Sequence, residues 1–142
     1  MGVSPYVLVI GVAWLAAHII KYVVATVMGR KVDFARHLLM SGGMPSSHAA
    51  TSVSVWTVVL MKDGIESGLF GLATLVTLVV CYDAVKVRRS VGEQGDAIRQ
   101  MIKRQNLNID LPRAARGHTP FEVLAGSVLG MIIGLIVTIL TK

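Results

Sequence analysis

The chain has 142 residues, of which 54% are hydrophobic and 15% charged, and its mean hydropathy is +0.66. This apolar content is too high, and too concentrated in blocks, for a soluble domain of this length. The net charge of +6 lies mainly in two loops between apolar segments, which excludes a nucleic-acid-binding face and favours anionic membrane lipids as partners. The sequence therefore predicts a single integral membrane domain over residues 1–142.

Three apolar segments are each long enough to cross a membrane, which needs roughly 20 helical residues. They cover residues 5–28, 67–85 and 120–140. Residues 46–61 form a shorter fourth candidate, whose serines and threonines suit the interior of a bundle better than a lipid-facing surface. We therefore expect an all-α, polytopic membrane helix bundle of about four transmembrane helices, the second and third joined by a tight polar turn.

The sequence predicts a long basic loop from residue 86 to residue 118. Within it Ile98, Met101 and Ile102 recur at helical spacing beside basic residues, which predicts an amphipathic helix at the headgroup level. A solvated basic loop is the alternative. A second basic loop covers residues 29–45. Because basic loops tend to lie on the cytoplasmic side of a cell membrane, the loops 29–45 and 86–118 are placed there, and both chain termini outside.

The last apolar segment carries Gly126, Gly130 and Gly134 at intervals of four residues. Glycines at this spacing let another helix backbone approach closely along one face. That helix belongs either to the same chain or to a second copy, so a homodimer through this face is one of two expectations.

Three polar clusters lie at the ends of the predicted spans. They cover residues 42–48, residues 82–89 with Gln94, and residues 113–122. Polar side chains at membrane depth are costly and call for a structural or a functional reason. A four-span topology brings all three clusters to the same membrane face, which predicts an active site there.

The clusters contain what hydrolysis of a phosphate ester requires: cations and donors for the phosphate oxygens, a nucleophile, and an acid for the leaving oxygen. Arginine and serine suit the first task, and histidine suits the other two. Glu122, four residues after His118, is placed to accept a hydrogen bond from the imidazole. The structural alternatives are a capping box of Thr119 and Glu122, N-caps at Ser46 or Ser47, and arginines that only set topology.

Two of these motifs, taken together and in order, resemble a known family. The sequences Pro-Ser-Ser-His at 45–48 and Gly-His-Thr-Pro-Phe-Glu-Val-Leu-Ala-Gly at 117–126 are similar to the second and third signature motifs of the type 2 phosphatidic acid phosphatases, relatives of the vanadium haloperoxidases. Tyr-Asp-Ala at 82–84, with the arginines that follow, resembles their divergent acid phosphatase branch.

The resemblance implies a lipid phosphatase that needs no metal and no cofactor, with a substrate of the phosphatidic acid, phosphatidylglycerophosphate or prenyl diphosphate type. It makes His118 the nucleophile that forms a phosphohistidine, His48 the acid that protonates the leaving group, and Glu122 the residue that orients His118. The implied phosphate-binding residues are Ser46, Ser47, Arg88, Arg89, Lys21 and Arg113, with Tyr82, Asp83 and Gln94 in support.

The cationic part departs from the family pattern. Met28 stands seven residues after Lys21, where the family's first motif has an arginine. Pro112 stands six residues before His118, at another arginine position. Two other classes stay open: a non-catalytic bundle, such as a small transporter or an assembly subunit, and a metal site. The ligands of such a metal site would be His48, Asp83, His118 and Glu122.

Overall fold

The computed structural model describes residues 3–29, 43–107, 109, 110 and 117–141. The regular elements among them are all helical: α1 Pro5–Val27, α2 Ser47–Asp63, α3 Gly68–Tyr82, a π-helical turn Asp83–Val87, α4 Arg88–Arg104 and α5 Pro120–Leu140. The prediction of an all-α membrane bundle is confirmed.

Three of the described helical stretches are long and apolar enough to cross a membrane, namely α1, the continuous run Gly68–Arg104, and α5. Helix α2 has 17 residues, and at 1.5 Å per residue it covers about 26 Å, less than the roughly 30 Å of a hydrocarbon core. It lies instead at the centre of the bundle, against α1, α3 and α5. Four spans, and the side on which the termini lie, stay predictions.

Hydrogen bonds join α3 to α2. Trp56 Nε1 donates to Thr74 Oγ1 at 2.9 Å, and Thr77 Oγ1 donates to the Ser52 carbonyl at 3.2 Å. No residue of α3 is fully buried, which suits a helix that contacts the bundle on one side and lipid on the others. The hydroxyls of Thr51, Ser54 and Thr57 donate to carbonyls of α2 itself, each at 2.8 Å. These side chains are therefore satisfied within their own helix rather than by neighbouring helices.

The glycine face of α5 is internal. A β-carbon added at Gly130 would lie 2.4 Å from the Ala50 carbonyl oxygen, and one at Gly126 would lie 2.4 Å from the Ser46 carbonyl oxygen. Backbone atoms of α2 therefore occupy the space that side chains would fill. Because this chain's own helix covers the face, a homodimer stays an untested prediction and would need another surface.

The helix that contains α3 runs farther than the predicted span. The sequence predicts a loop from residue 86, whereas the π-helical turn joins α3 to α4 and the chain stays helical to Arg104. Ile98, Met101 and Ile102 lie in α4, so the helical interpretation of this segment is confirmed over the solvated loop. The position of α4 at the headgroups stays a prediction.

Candidate active site

His118 is anchored through its backbone to the π-helical turn. In an α-helix the Arg88 amide would bond to the Ala84 carbonyl, but in the π turn it bonds to Asp83, five residues back. The Ala84 carbonyl accepts instead from the backbone N–H of His118, at 3.0 Å. The turn therefore sets the position of His118 relative to α3.

Gly117 packs directly against the start of α4. A β-carbon at this position would lie 2.3 Å from the backbone nitrogen of Arg89 and 2.4 Å from its Cα. Since these are backbone atoms of a helix, they cannot move aside for a side chain. The glycine that precedes His118 in the motif is thus required for close packing.

Glu122 holds the imidazole of His118 and caps α5 at the same time. Its Oε2 lies 3.3 Å from His118 Nδ1 and accepts from the Thr119 backbone N–H at 2.9 Å. Thr119 Oγ1 in turn accepts from the Glu122 amide at 3.3 Å. The capping box and the histidine partner, which the sequence offers as alternatives, therefore coexist. Because a carboxylate only accepts, Nδ1 carries the proton and Nε2 of the neutral ring keeps its lone pair.

Burial lowers the pKa of His118, whose side chain is 3% exposed, because loss of water disfavours the charged ring. The hydrogen bond and charge of Glu122 act in the opposite direction, while the charges of Lys21 and Arg88 add to the lowering of the pKa. The net direction is downward. A pKa below the usual value favours the neutral ring, with Nε2 available as a nucleophile, at neutral pH.

His118 borders a groove of about 630 Å³, with α1 and α3 as its walls and α2 as its floor. One end of the groove is polar and is lined by Lys21, Ser47, His48 and His118. The other end is apolar and includes Ile10, Val59, Leu69 and Leu72. Residues from the ends of α1, α2 and α5, far apart in sequence, thus meet in one place.

His48 lies in the first turn of α2 at the exposed edge of the polar end, whereas His118 is buried. The charges of Arg88, His118, Lys21 and Asp83 all act on the His48 ring. The two imidazoles therefore border one space, the arrangement that two-histidine chemistry requires.

Lys21 and Ser47 are buried polar groups without a protein partner in the described part of the chain. Their exposed fractions are 3% and 7%, and neither side chain forms a hydrogen bond or salt bridge with a described residue. The Glu122 charge acts on Lys21 only at longer range. An ammonium buried without a partner costs several kcal/mol, so its position in the groove calls for an anionic ligand.

Ser46 and Arg88 have structural partners. The hydroxyl of Ser46 is fully buried and caps α2, accepting from the Ala49 amide at 3.4 Å, and Ser46 does not line the groove. Arg88 Nε donates to Asp83 Oδ2 at 2.6 Å, an i,i+5 pair that the π-helical turn brings into register. Arg88 still contributes charge to the site, and Ser46 has a capping role; phosphate binding by either residue stays a prediction.

Three more predicted residues lie away from the groove. Arg89 pairs with Glu93 at 3.1 Å, Gln94 donates to Ser90 at 3.3 Å, and Tyr82 is exposed on α3. A role for any of them stays a prediction. Arg113 lies outside the described residues.

His18 is not among the predicted site residues, yet it lines the groove. It is 7% exposed, and its Nδ1 donates to the Trp14 carbonyl at 2.8 Å. The signal that points to it in the sequence is its spacing of three residues from Lys21, which places both on one face of α1.

Among the described residues, no group of three or more His, Cys, Asp or Glu side chains is placed to hold a metal ion. Asp83, a ligand in the metal alternative, pairs with Arg88 instead. Metal independence stays a prediction for experiment.

Residues 4–133 match a family model described as the divergent PAP2 family. The chain belongs to this family. It is also 31% identical to the "Uncharacterized membrane protein YuiD" of Bacillus subtilis (strain 168), over 87% of each chain. No solved structure matches the chain. Family membership confirms the resemblance seen in the motifs at 45–48 and 117–126.

Proposed function

We propose that the protein is an integral membrane phosphatase that hydrolyses a phosphate monoester or diphosphate of a lipid through a phosphohistidine intermediate. The observation that carries the proposal is the buried ammonium of Lys21, which has no partner among the described residues and lines the same groove as His118. A phosphate group bound there satisfies Lys21 and Ser47 and brings its phosphorus to Nε2 of His118. Membership of the divergent PAP2 family supports the reaction class.

The reaction has two steps. First, Nε2 of His118 attacks phosphorus, the bond from phosphorus to the lipid oxygen breaks, and His48 donates a proton to that oxygen. Second, water gives a proton to His48 and attacks the phosphohistidine, so that the P–N bond breaks and inorganic phosphate leaves. Glu122 stabilises the positive charge that the His118 ring gains. Lys21 and Ser47 hold the phosphate oxygens throughout.

The apolar part of the groove suits the tail of a lipid. Along α2 the lining residues run from His48 to Val59, about 16 Å at 1.5 Å per residue. A lipid phosphate places its anionic head against Lys21 and its tail along this stretch, whereas a soluble phosphate ester would leave the apolar lining uncovered. We therefore favour a lipid over a soluble substrate.

The alternative is a non-catalytic bundle, such as a small transporter or an assembly subunit. The pair of Arg88 with Asp83 favours it, because one candidate phosphate ligand already has a structural partner. This alternative gives no reason for a buried Lys21 that no described residue pairs with, or for a buried His118 whose Nδ1 is held by a carboxylate. Catalysis accounts for both features.

Replacing Lys21 with methionine is expected to make the protein less active but more stable. Hydrogen bonds to charged groups contribute roughly 1.5–3 kcal/mol, so kcat/KM falls by about 10-fold to 100-fold. Removal of a buried charge that has no partner in the described part of the chain raises the free energy of unfolding by about 1 kcal/mol or more. The measurements are phosphate release from a panel of lipid phosphates by purified protein in detergent with chelator, and the unfolding midpoint in sodium dodecyl sulfate.

The matched control for this substitution is Lys103→Met, on the exposed surface of α4, which should change neither measurement. Release of no phosphate by the wild-type protein from any lipid of the panel would overturn the proposed function. A K21M protein that keeps full activity and loses stability would show that Lys21 is structural.

Replacing Glu122 with glutamine is expected to shift the acid limb of the kcat/KM–pH profile to lower pH. Glu122 raises the pKa of His118 against the effect of burial, so without its charge that pKa falls further. The ring then stays neutral in more acidic solution. The rate at neutral pH falls by about 10²-fold or more, because the imidazolium charge loses its counter-charge.

Thr119→Ala is the control for the glutamine substitution, since it removes the capping hydroxyl but leaves the carboxylate beside His118. It should cost about 1 kcal/mol of stability and leave the acid limb in place. Ionisation of the substrate phosphate affects all variants alike, so the comparison isolates the protein. An acid limb that moves upward in E122Q would contradict the assigned pairing.

A further inference from the structure

A second polar level lies in the groove, one helical turn below the phosphate end. His18 precedes Lys21 by three residues on α1, a rise of about 4.5 Å. Thr51 and Ser52 follow His48 by the same turn on α2, and Thr77 bonds to the Ser52 backbone from α3. We call these four groove-lining residues the acceptor belt: His18, Thr51, Ser52 and Thr77.

The hydroxyl groups of the acceptor belt donate their hydrogen bonds to backbone carbonyls of the protein. The Thr51 hydroxyl donates to the Ser47 carbonyl at 2.8 Å, and the Ser52 hydroxyl donates to the Ala49 carbonyl at 3.3 Å. Thr77 donates to the Ser52 carbonyl at 3.2 Å. What remains on each side chain is the lone-pair capacity of its oxygen. The belt therefore offers acceptors to a ligand rather than donors.

His18 supplies the best-defined acceptor. Its Nδ1 lies 2.8 Å from the Trp14 carbonyl, which can only accept, so Nδ1 carries the proton and Nε2 of the neutral ring is bare. The indole of Trp14 lies against the ring, with centroids 4.2 Å apart, and holds its orientation. The His18 residue is 7% exposed, and no described residue donates a hydrogen bond to its Nε2. A buried acceptor without a donor selects for a ligand that brings one.

We propose that the acceptor belt recognises a hydroxyl group on the substrate, next to the carbon that carries the phosphate. The preferred substrates are then hydroxyl-bearing lipid phosphates, including those with a glycerol phosphate head whose neighbouring hydroxyl is free. A diacylated glycerol phosphate presents ester carbonyls, which only accept, and a prenyl chain presents no polar group at this level. The inference rests on the proposed function, because phosphate at Lys21 and His118 sets the depth of the head in the groove.

The test compares two synthetic lipid phosphates with the same single acyl chain: a 1-acylglycerol 3-phosphate and its analogue without the C2 hydroxyl. We expect wild-type kcat/KM to be about 10-fold higher for the hydroxyl compound. In His18→Phe, which keeps an aromatic ring beside Trp14 but has no acceptor nitrogen, this ratio should fall towards one. The control is Thr138→Val, whose hydroxyl lies in α5 and outside the groove lining, and which should keep the ratio.

The outcomes separate the two proposals. If the wild-type protein releases phosphate from neither compound and from no other lipid phosphate of the panel, the proposed function fails, and this inference fails with it. If it hydrolyses other lipids of the panel but neither of these two, the phosphatase stands and the acceptor belt is overturned. If it hydrolyses both equally well, or if H18F keeps the full preference, the phosphatase stands and the acceptor belt is overturned. The wild-type comparison alone decides the matter should H18F fail to fold. Faster turnover of a diacylglycerol phosphate than of the hydroxyl compound would also overturn it.

Discussion

Replacing His118 with alanine is expected to abolish phosphate release, with a fall in kcat of about 10⁴-fold or more. His118 is the proposed nucleophile, and its Nε2 is the ring atom left free by the bond to Glu122. The fold should persist, because the backbone bond from residue 118 to Ala84 does not involve the side chain. The measurement is phosphate release, with the helical circular dichroism of the variant compared with that of the wild-type protein.

The covalent intermediate gives this prediction a direct readout. Wild-type protein mixed with a substrate labelled in its phosphoryl group and denatured in alkali should carry the label on His118. H118A should carry none. A labelled H118A protein, or label on a different residue of the wild type, would contradict the assigned nucleophile.

His48→Ala separates the two histidines. Loss of the acid should slow hydrolysis of alkyl phosphates by about 10²-fold to 10⁴-fold, because an alkoxide leaves poorly without a proton. The 4-nitrophenolate of 4-nitrophenyl phosphate leaves without needing a proton. H48A should therefore still form the labelled intermediate from this substrate. Since the second step also needs His48 to accept a proton from water, that intermediate should accumulate.

The helices were predictable from sequence because hydropathy acts over many residues at once. The predicted spans 5–28 and 120–140 differ from α1 Pro5–Val27 and α5 Pro120–Leu140 by no more than a residue at either end. The short length and the Ser and Thr content of residues 46–61 likewise predicted a helix in the bundle interior, where α2 lies. The meeting of the three polar clusters follows from this topology, since antiparallel helices alternate the ends that they present to one membrane face.

The pairings within the site were not predictable in the same way. The π-helical turn at Asp83–Val87 frees the Ala84 carbonyl for His118, a contact between segments more than thirty residues apart. The residues near the turn give no signal that predicts this contact. Assignment of the Ser46 hydroxyl to the cap, and of Ser47 to the groove, likewise depends on how α2 starts in three dimensions. The motifs therefore predicted which segments of the chain meet, but not the partner of each side chain.

Replacing Gly130 with alanine is expected to destabilise the bundle by about 3 kcal/mol. The added β-carbon would lie 2.4 Å from the Ala50 carbonyl oxygen and 3.0 Å from the Ser54 nitrogen. Both are backbone atoms of α2, so the two helices must separate rather than let a side chain move aside. The unfolding midpoint in sodium dodecyl sulfate measures the loss.

Gly11→Ala is the matched control, because a β-carbon added to this α1 glycine meets nothing within 4 Å. There the better helix propensity of alanine should raise stability by about 0.5–1 kcal/mol. Equal behaviour of the two alanine variants would contradict the close packing of α2 on α5. Separation of these helices also moves His48, on α2, away from His118, at the start of α5. G130A should therefore lose phosphatase activity even in the fraction that stays folded, which links the glycine face inside the bundle to chemistry at its end.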